Sequence, residues 1–312
     1  MLRFVARRGV SMIFVLFSLT FLTFIIGHLA PGDPILVLMG PRQDPVTYTR
    51  LRHLYGLDQP LLTQYFNYLA NLIRGDFGLS FSYEGRPVRE LIGQGLPISF
   101  GVGGLALLAS VCLGVPLGIF SALHDGSLAD RGAVALALGL YSIPSFVLIP
   151  LIWMVNLALF RAGYPNLPQA GWGTPSHIVL PVLVLAAANV GYITQLTRSS
   201  MLEVLRDDYV RTARAKGLFE RTVIARHVLR NALLPLITLL GPMTAFLVTG
   251  AFVVEVLFNI PGIGRTAVEA VGRRDYPVIQ GTTVILGIAV VVMNSISDLL
   301  YHVFDPRIGL TD

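Results

Sequence analysis

Residues 203–235 read EVLRDDYVRTARAKGLFERTVIARHVLRNALLP, a basic stretch set between two long apolar runs. It holds Arg206, Arg211, Arg214, Lys216, Arg221, Arg226 and Arg230, and Lys216 is the single lysine of the chain. Asp207 and Asp208 suit a helix start, where carboxylates cap free N–H groups and meet the positive end of the helix dipole. The pattern predicts a short helix through Tyr209, Val210, Thr212, Ala213 and Arg214 that stops at Gly217, a residue suited to a left-handed C-cap. A second helix through Val223, Ile224, Val228 and Leu229 leads into the next apolar run. Helix, glycine, helix makes a short rigid element lying across a membrane face. The small Ala213 and Ala215 leave room for close approach by a partner. The same charges also serve as a topogenic signal, which needs no partner.

The chain around this stretch is greasy. Of 312 residues, 54% are hydrophobic and 13% charged, against about 25% charged in a soluble domain. Mean hydropathy is +0.69, too high for a water-facing surface. A bilayer span needs about 20 largely apolar residues. Six segments qualify: 9–29, 98–123, 132–160, 177–197, 232–258 and 278–304. The third is long enough to tilt, or to kink at Pro144 and Pro150. The charged N-terminus followed by the 9–29 run resembles a signal peptide. The run is too long for one, however, and no small-x-small site precedes Pro31, so it reads as a retained first span.

Positive charge sets the expected orientation. With the N-terminus inside, the inner segments (the N-terminus, 124–131, 198–231 and the C-terminus) carry thirteen Arg or Lys. The short outer loops carry four. Both termini are therefore expected in the cytoplasm. The formal charge of +5 follows from this asymmetry, and without a basic stripe interleaved with aromatics it gives no support for nucleic acid as a partner. The one cysteine, Cys112, excludes an intrachain disulfide and a cysteine-based metal site, and reads as a small buried hydrophobe.

The expected segments are a first span within 1–30, an outer insert at 31–97, a five-span core at 98–304 with the loop at 198–231, and a tail at 305–312. The insert opens with the turn signal Pro31-Gly32-Asp33-Pro34. Helical patterning follows over 46–54 and 61–73. Leu61, Leu62, Tyr65, Phe66, Tyr68, Leu69 and Leu72 form an apolar face that must pack on the spans or at the lipid interface. Trp172, in the turn-rich 160–175 loop, suits the interface as well.

The source of energy is constrained by what the spans lack. No ionisable side chain falls in the middle of spans one to five. Glu255, His28 and His177 sit near span ends, and Asp298 and His302 come late in span six. A proton- or sodium-driven carrier ordinarily needs midplane carboxylates or broken-helix ion sites. Asp298 is the one candidate, and a helix-end carboxylate paired to Arg explains it as well. A P-loop needs a Lys after a Gly-rich turn, but Lys216 stands in Ala-Lys-Gly-Leu with no following Ser or Thr. The Ile260-Pro261-Gly262-Ile263-Gly264 run follows a span and reads as a turn. The six His show no metal-binding spacing, and no nucleophile elbow is present. An engine, if one drives this chain, lies on another chain.

The segments DDYVRTARAKG (207–217) and HVLRNALLP (227–235) closely resemble the coupling-loop signature of the dipeptide/oligopeptide/nickel family of binding-protein-dependent ATP-driven permeases. Further segments match in order over essentially the whole length: PGDP (31–34), YGLDQPLLTQY (55–65), RGDFGLS (74–80), FNIPGIG (258–264), RRDYPVIQG (273–281) and DPRIG (305–309). The spacing from Gly217 to Pro235 is longer than in the importer-wide version of the loop, and Arg211 occupies its Glu position.

The resemblance implies an all-α fold of six transmembrane helices, a type I importer transmembrane domain with an extracytoplasmic insert. It implies a permease in a bacterial or archaeal inner membrane, moving di- or oligopeptides. Relatives also carry nickel chelates, glutathione or oligosaccharides. It implies four kinds of partner: a homologous second permease, two ATP-binding subunits, an extracytoplasmic binding protein and the lipid bilayer. ATP and Mg would lie on the partner subunits, with no cofactor, metal or enzymatic activity in this chain. Asp208, Tyr209, Arg211, Thr212, Ala213, Arg214, Ala215, Lys216, Gly217 and Leu218 would seat in a groove of an ATPase subunit. Phe258, Pro261, Gly262 and Gly264 would belong to an outer gate. Tyr141, Ser142, Ser145, Asn189, Tyr192 and Gln195 are candidates for lining a polar passage, although interhelical hydrogen bonding accounts for such residues equally well.

Overall fold

The computed structural model describes residues 2–29, 33–39, 44–83 and 85–304. Pro31 and Gly32 of the first matched segment, the 305–309 match and the 305–312 tail lie outside the described residues, as do the side chains of Asp298 and His302. The fold is all-α. In order, the helices are α1 (Leu2–Leu29), α2 (Pro34–Met39), α3 (Pro45–Leu54), α4 (Leu61–Ile73), α5 (Val88–Leu123), α6 (Leu128–Ser142), α7 (Ser145–Arg161) and α8 (Ser176–Leu205). They continue with α9 (Asp208–Ala215), α10 (Glu220–Thr222), a π-helical turn (Val223–Val228), α11 (Leu229–Ala232), α12 (Leu234–Leu257), α13 (Ile263–Arg273) and α14 (Tyr276–Phe304).

Four helices are long and apolar enough to cross a bilayer unbroken: Gly9–Leu29, Val88–Leu123, Ser176–Leu205 and Tyr276–Ser297. Two bent pairs bring the number to six only if each pair counts as one span. The third expected span is not a kinked rod. α6 and α7 meet at 114°. Ile143 is extended (φ −85, ψ 117), as a residue before proline tends to be, and Pro144 then opens α7. Pro150 lies inside α7 without ending it. The second span starts at Val88 rather than Ile98, because Val88, Leu91 and Ile92 are buried and packing holds this lead-in helical. Cys112 is exposed on α5, not buried as its neighbours suggested.

The described residues divide into two compact units, one within 1–99 and 261–291, the other within 100–260 and 292–304. In the first, Asp33 accepts from Ile35 N (2.8 Å) and opens the short α2, where a turn alone was expected. Asp44 caps α3 by accepting from Thr47 N (3.0 Å), and Pro45 preorganises the first turn. α4 lays Tyr65 on α1, with ring centroids 5.2–6.0 Å from Phe17, Phe21 and Phe24. The Tyr65 hydroxyl lies 3.2 Å from Thr20 Oγ1. Leu61, Leu62, Phe66 and Ile73 stay exposed, an apolar edge suited to lipid or a partner.

Asp275, 1% exposed at the foot of α14, latches the 80–83 turn in place. It accepts from Ser80 Oγ (2.5 Å), Phe81 N (3.0 Å) and Ser82 N (3.0 Å). Two segments of the family resemblance, 74–80 and 273–281, thus meet at one carboxylate. Asp275→Ala is expected to orphan both amides, at about 1–3 kcal/mol each. The variant should melt earlier and expose the 78–87 turn to protease. A melting curve like that of the unchanged protein would rule the latch out as a support.

The second unit is built on α8, whose glycine and threonine faces permit near contact, as expected where helices associate in lipid by close packing. A Cβ on Gly114 or Gly118 of α5 would lie 2.8 Å from Ile193 Cβ or 2.6 Å from Thr197 Cβ. Thr194 Oγ1 donates to Gly114 O (3.3 Å) across the same interface.

Candidate coupling surface

α9 has two faces with different fates. Val210 (0% exposed) and Ala213 (6%) turn inward into a cluster with Ala122, Met201, Val223, Val228 and Ala232. Ala213 was expected to admit a partner. Its methyl group is instead spent on the intrachain core, because the i, i+3 spacing from Val210 places both on one side of a helix. The opposite face is polar and open. Tyr209, Arg211, Thr212, Arg214, Ala215 and Lys216 are exposed.

The loop after α9 is stiff. Gly217 takes φ +77, the left-handed cap expected from sequence, and its N–H donates to Arg214 O (2.9 Å). Arg214 reaches past the turn to Glu220 through two bonds, 2.7 and 3.1 Å. Asn231 Nδ2 donates to the Tyr209 hydroxyl (2.7 Å), fastening α9 to the chain that enters α12. Asp207 stands at the N-cap without a side-chain cap bond, while Asp208 pairs with Arg211 at 3.4 Å. Held up by this frame, Phe219 is 85% exposed and Leu218 41%.

Two features were missed in the sequence. Phe219 fell just beyond the segment singled out, although an aromatic immediately after a capping glycine was a readable signal. The other leaves no local signal. Asp130, 3% exposed, accepts from Arg198 Nε and Nη2 (2.7 Å each), Ser121 Oγ (2.5 Å) and Gly126 N (2.9 Å). Arg198 also reaches Asp125 at 2.8 Å. The 124–131 loop and the root of the 198–231 loop are thereby tied together at one end of the unit.

The remaining candidates are scattered. Tyr141 and Tyr192 are exposed with ring centroids 6.0 Å apart, and Ser142 is exposed beside them. Ser145 and Gln195 are half-buried. Asn189 is buried at 7% exposure and donates to Leu185 O of its own helix (2.9 Å). Phe258 is also buried, edge-on to Trp153 at 5.6 Å, and its carbonyl accepts from Gly171 N (2.8 Å). In the first unit, Pro261 is exposed, Gly262 is the N-cap of α13, and Gly264 is buried in its first turn. A Cβ on Gly95 would lie 2.8 Å from Ile263 N, so this turn seats directly on the α5 backbone. Among the described residues no three His, Cys, Asp or Glu gather as metal ligands.

The described helices make a multi-pass helical membrane protein with a basic, exposed element at one end of its second unit. Residues 114–310 match the family described as binding-protein-dependent transport system inner membrane component, and residues 1–99 match its N-terminal companion. The dipeptide transport system permease protein of Bacillus subtilis is 41% identical over 99% of both chains. The oligopeptide transport system permease protein of the same organism is 38% identical over 99% of both. The dipeptide permease of Escherichia coli K12 is 36% identical over 99% of both. An inward-facing structure of the MetNI methionine ABC transporter superposes at a TM-score of 0.56, with 17% identity, over 69% of this chain and 96% of that one. This chain belongs to the binding-protein-dependent transport system inner membrane component family.

Proposed function

We propose that this chain is one of two permease subunits of an ATP-driven importer that brings di- or oligopeptides across a bacterial or archaeal cytoplasmic membrane. In this reading each bent pair counts as one crossing, both termini are inside, and the α9 element lies in the cytoplasm. Two ATP-binding subunits hydrolyse the nucleotide, a second homologous permease completes the passage, and an extracytoplasmic binding protein delivers the substrate. The observation that carries the reading is the stiff frame presenting Tyr209, Arg211, Lys216, Leu218 and Phe219 outward while Val210 and Ala213 anchor it to α5, α8 and α11. A lever has to be rigid and rooted in the part it moves. Peptide as cargo is supported by the names of the relatives that match along their whole length.

The test is Phe219→Glu, which leaves the frame intact. An aromatic hot spot contributes about 2 kcal/mol or more to an interface, which corresponds to roughly thirtyfold in affinity. ATPase subunits are expected to co-purify poorly with this variant, and ATP-driven peptide uptake to fall to a similar degree, while membrane insertion is unchanged. Normal uptake and normal co-purification would count against the reading. Ala213→Arg is expected to behave differently, losing thermal stability first. An ion-gradient carrier would instead transport in vesicles holding this chain alone and no ATP.

A further inference from the structure

A cavity of about 520 Å³ opens in the first unit among the end of α1, helices α3 and α4, the 76–81 turn and the start of α14. Four segments of the family resemblance meet on its wall, the first being 31–34 through Asp33, and the reading above uses none of them. Residues 55–65 supply Tyr55 and Gln64, residues 74–80 supply Asp76 and Phe77, and residues 273–281 supply Tyr276 and Gln280.

The buried side of this cavity is polar and unsatisfied. Gln280 is only 9% exposed and lines the cavity together with Tyr276. The hydroxyls of Tyr68 and Tyr276 are sealed from solvent and have no hydrogen-bond partner. Burial pushes the Tyr68 phenol above its ordinary pKa, so it remains a neutral donor. Buried polar groups are ordinarily paired. Two orphaned hydroxyls belong to residues that line this void, and the Gln280 side chain lines it with them.

The exposed side carries both signs of charge. Arg52 and Asp76 are exposed there, and Asp33 is half-buried. Asp33 already accepts from the Tyr48 hydroxyl (2.6 Å), and Asp76 Oδ1 from Gly78 N (2.9 Å), so both carboxylates are fixed in place. Aromatic rings line the walls between: Phe24 stacks 6.3 Å from Tyr68, and Tyr55 stands edge-on to Phe81 at 4.7 Å. Opposite charges on the exposed side, aromatic walls and a nearly buried amide in the lining suit a small zwitterion with an apolar side chain.

We propose that this cavity binds a short peptide or free amino acid by its charged termini, the ammonium at Asp33 and Asp76, the carboxylate at Arg52, and an inner polar group at Gln280. Naming a peptide as the zwitterion rests on the transport reading, whereas the cavity's chemistry does not. A lipid ethanolamine headgroup shares the same zwitterionic chemistry and is the competing source.

The experiment uses the intact transporter in lipid nanodiscs without its binding protein, and measures equilibrium binding of labelled phenylalanyl-alanine. Saturable binding is expected, weakened about tenfold or more by Gln280→Leu and by Arg52→Ala. Tyr68→Phe, which removes a single oxygen and spares the fold, should also weaken it. The N-acetylated, C-amidated dipeptide should bind poorly. Binding that is absent, equal in all three variants, or equal for the blocked dipeptide would overturn the proposal. So would displacement of nothing but phosphoethanolamine from the cavity. ATP-driven uptake of the same dipeptide is scored separately. Uptake without cavity binding overturns this inference alone, and cavity binding without uptake overturns the transport reading alone.

Discussion

Gly191→Val is expected to leave little folded protein in the membrane. A Cβ at this position would lie 2.2 Å from Ala137 O and 3.0 Å from both Tyr141 N and Tyr141 Cβ. Two of these three atoms are backbone, which cannot swing aside as a side-chain end can. α6 and α8 would have to separate along their contact. Overpacking a fitted interior ordinarily costs about 1–3 kcal/mol, and occasionally more. In lipid the loss is compounded, because close van der Waals packing is what holds helices together there. Against a total stability of about 5–15 kcal/mol, this is enough to deplete the native state. Even Gly191→Ala should lower the melting temperature. Gly104→Ala is the matched control. It meets nothing within 4 Å, and on helix propensity it is expected to be neutral or to gain about 1 kcal/mol. The measurement is the fraction of monodisperse protein after a heat step in detergent. If Gly191→Val survives like the unchanged chain, the α6–α8 packing described here is wrong.

This packing also shows where sequence reading stops. The apolar runs and the helices of the insert were legible because they follow from local composition and period. The 9–29 span, α4 at Leu61–Ile73 and the stop at Gly217 all fall where the pattern puts them. A helix apolar all round, by contrast, carries no sign of which side meets a neighbour. Gly191 and Gly104 are indistinguishable as letters, yet one touches backbone and the other nothing. The 114° turn at Pro144 looked like a kink because a proline alone does not say how far the chain bends. It was the extended Ile143 before it that opened the angle.

The candidate surface was legible in the same measure. Charge and capping residues marked α9 and its boundaries. The inward turn of Ala213 did not show, since small size favours core and interface alike. Asp275 lies 195 residues from Ser80, and Arg198 lies 68 from Asp130, so neither tie leaves a periodic trace.

Arg198→Ala is expected to cut ATP-driven uptake roughly 5- to 150-fold, the range of an ordinary coupling free energy between sites. The argument starts from what Arg198 joins. It sits about two turns before the end of α8, and its guanidinium grips Asp130 at two points and Asp125 at a third. A force applied to α9 reaches α8 directly, and Arg198 passes it to Asp130 in the first turn of α6, a second link beside the close α6–α8 packing at Gly191. Bidentate guanidinium–carboxylate bonds are the stiffest polar link available to side chains. Without Arg198 the enclosed Asp130 carboxylate keeps Ser121 and Gly126 but no counter-charge, a state more costly than having no ion pair at all. Arg198→Ala with Asp130→Asn should therefore melt later than Arg198→Ala alone, because no uncompensated charge remains, while uptake stays low because the link is still missing. Recovery of uptake in the double variant would mean that the tie serves stability and not transmission. Full uptake in Arg198→Ala itself would remove the 124–131 loop from the path by which movement of α9 reaches the rest of the unit.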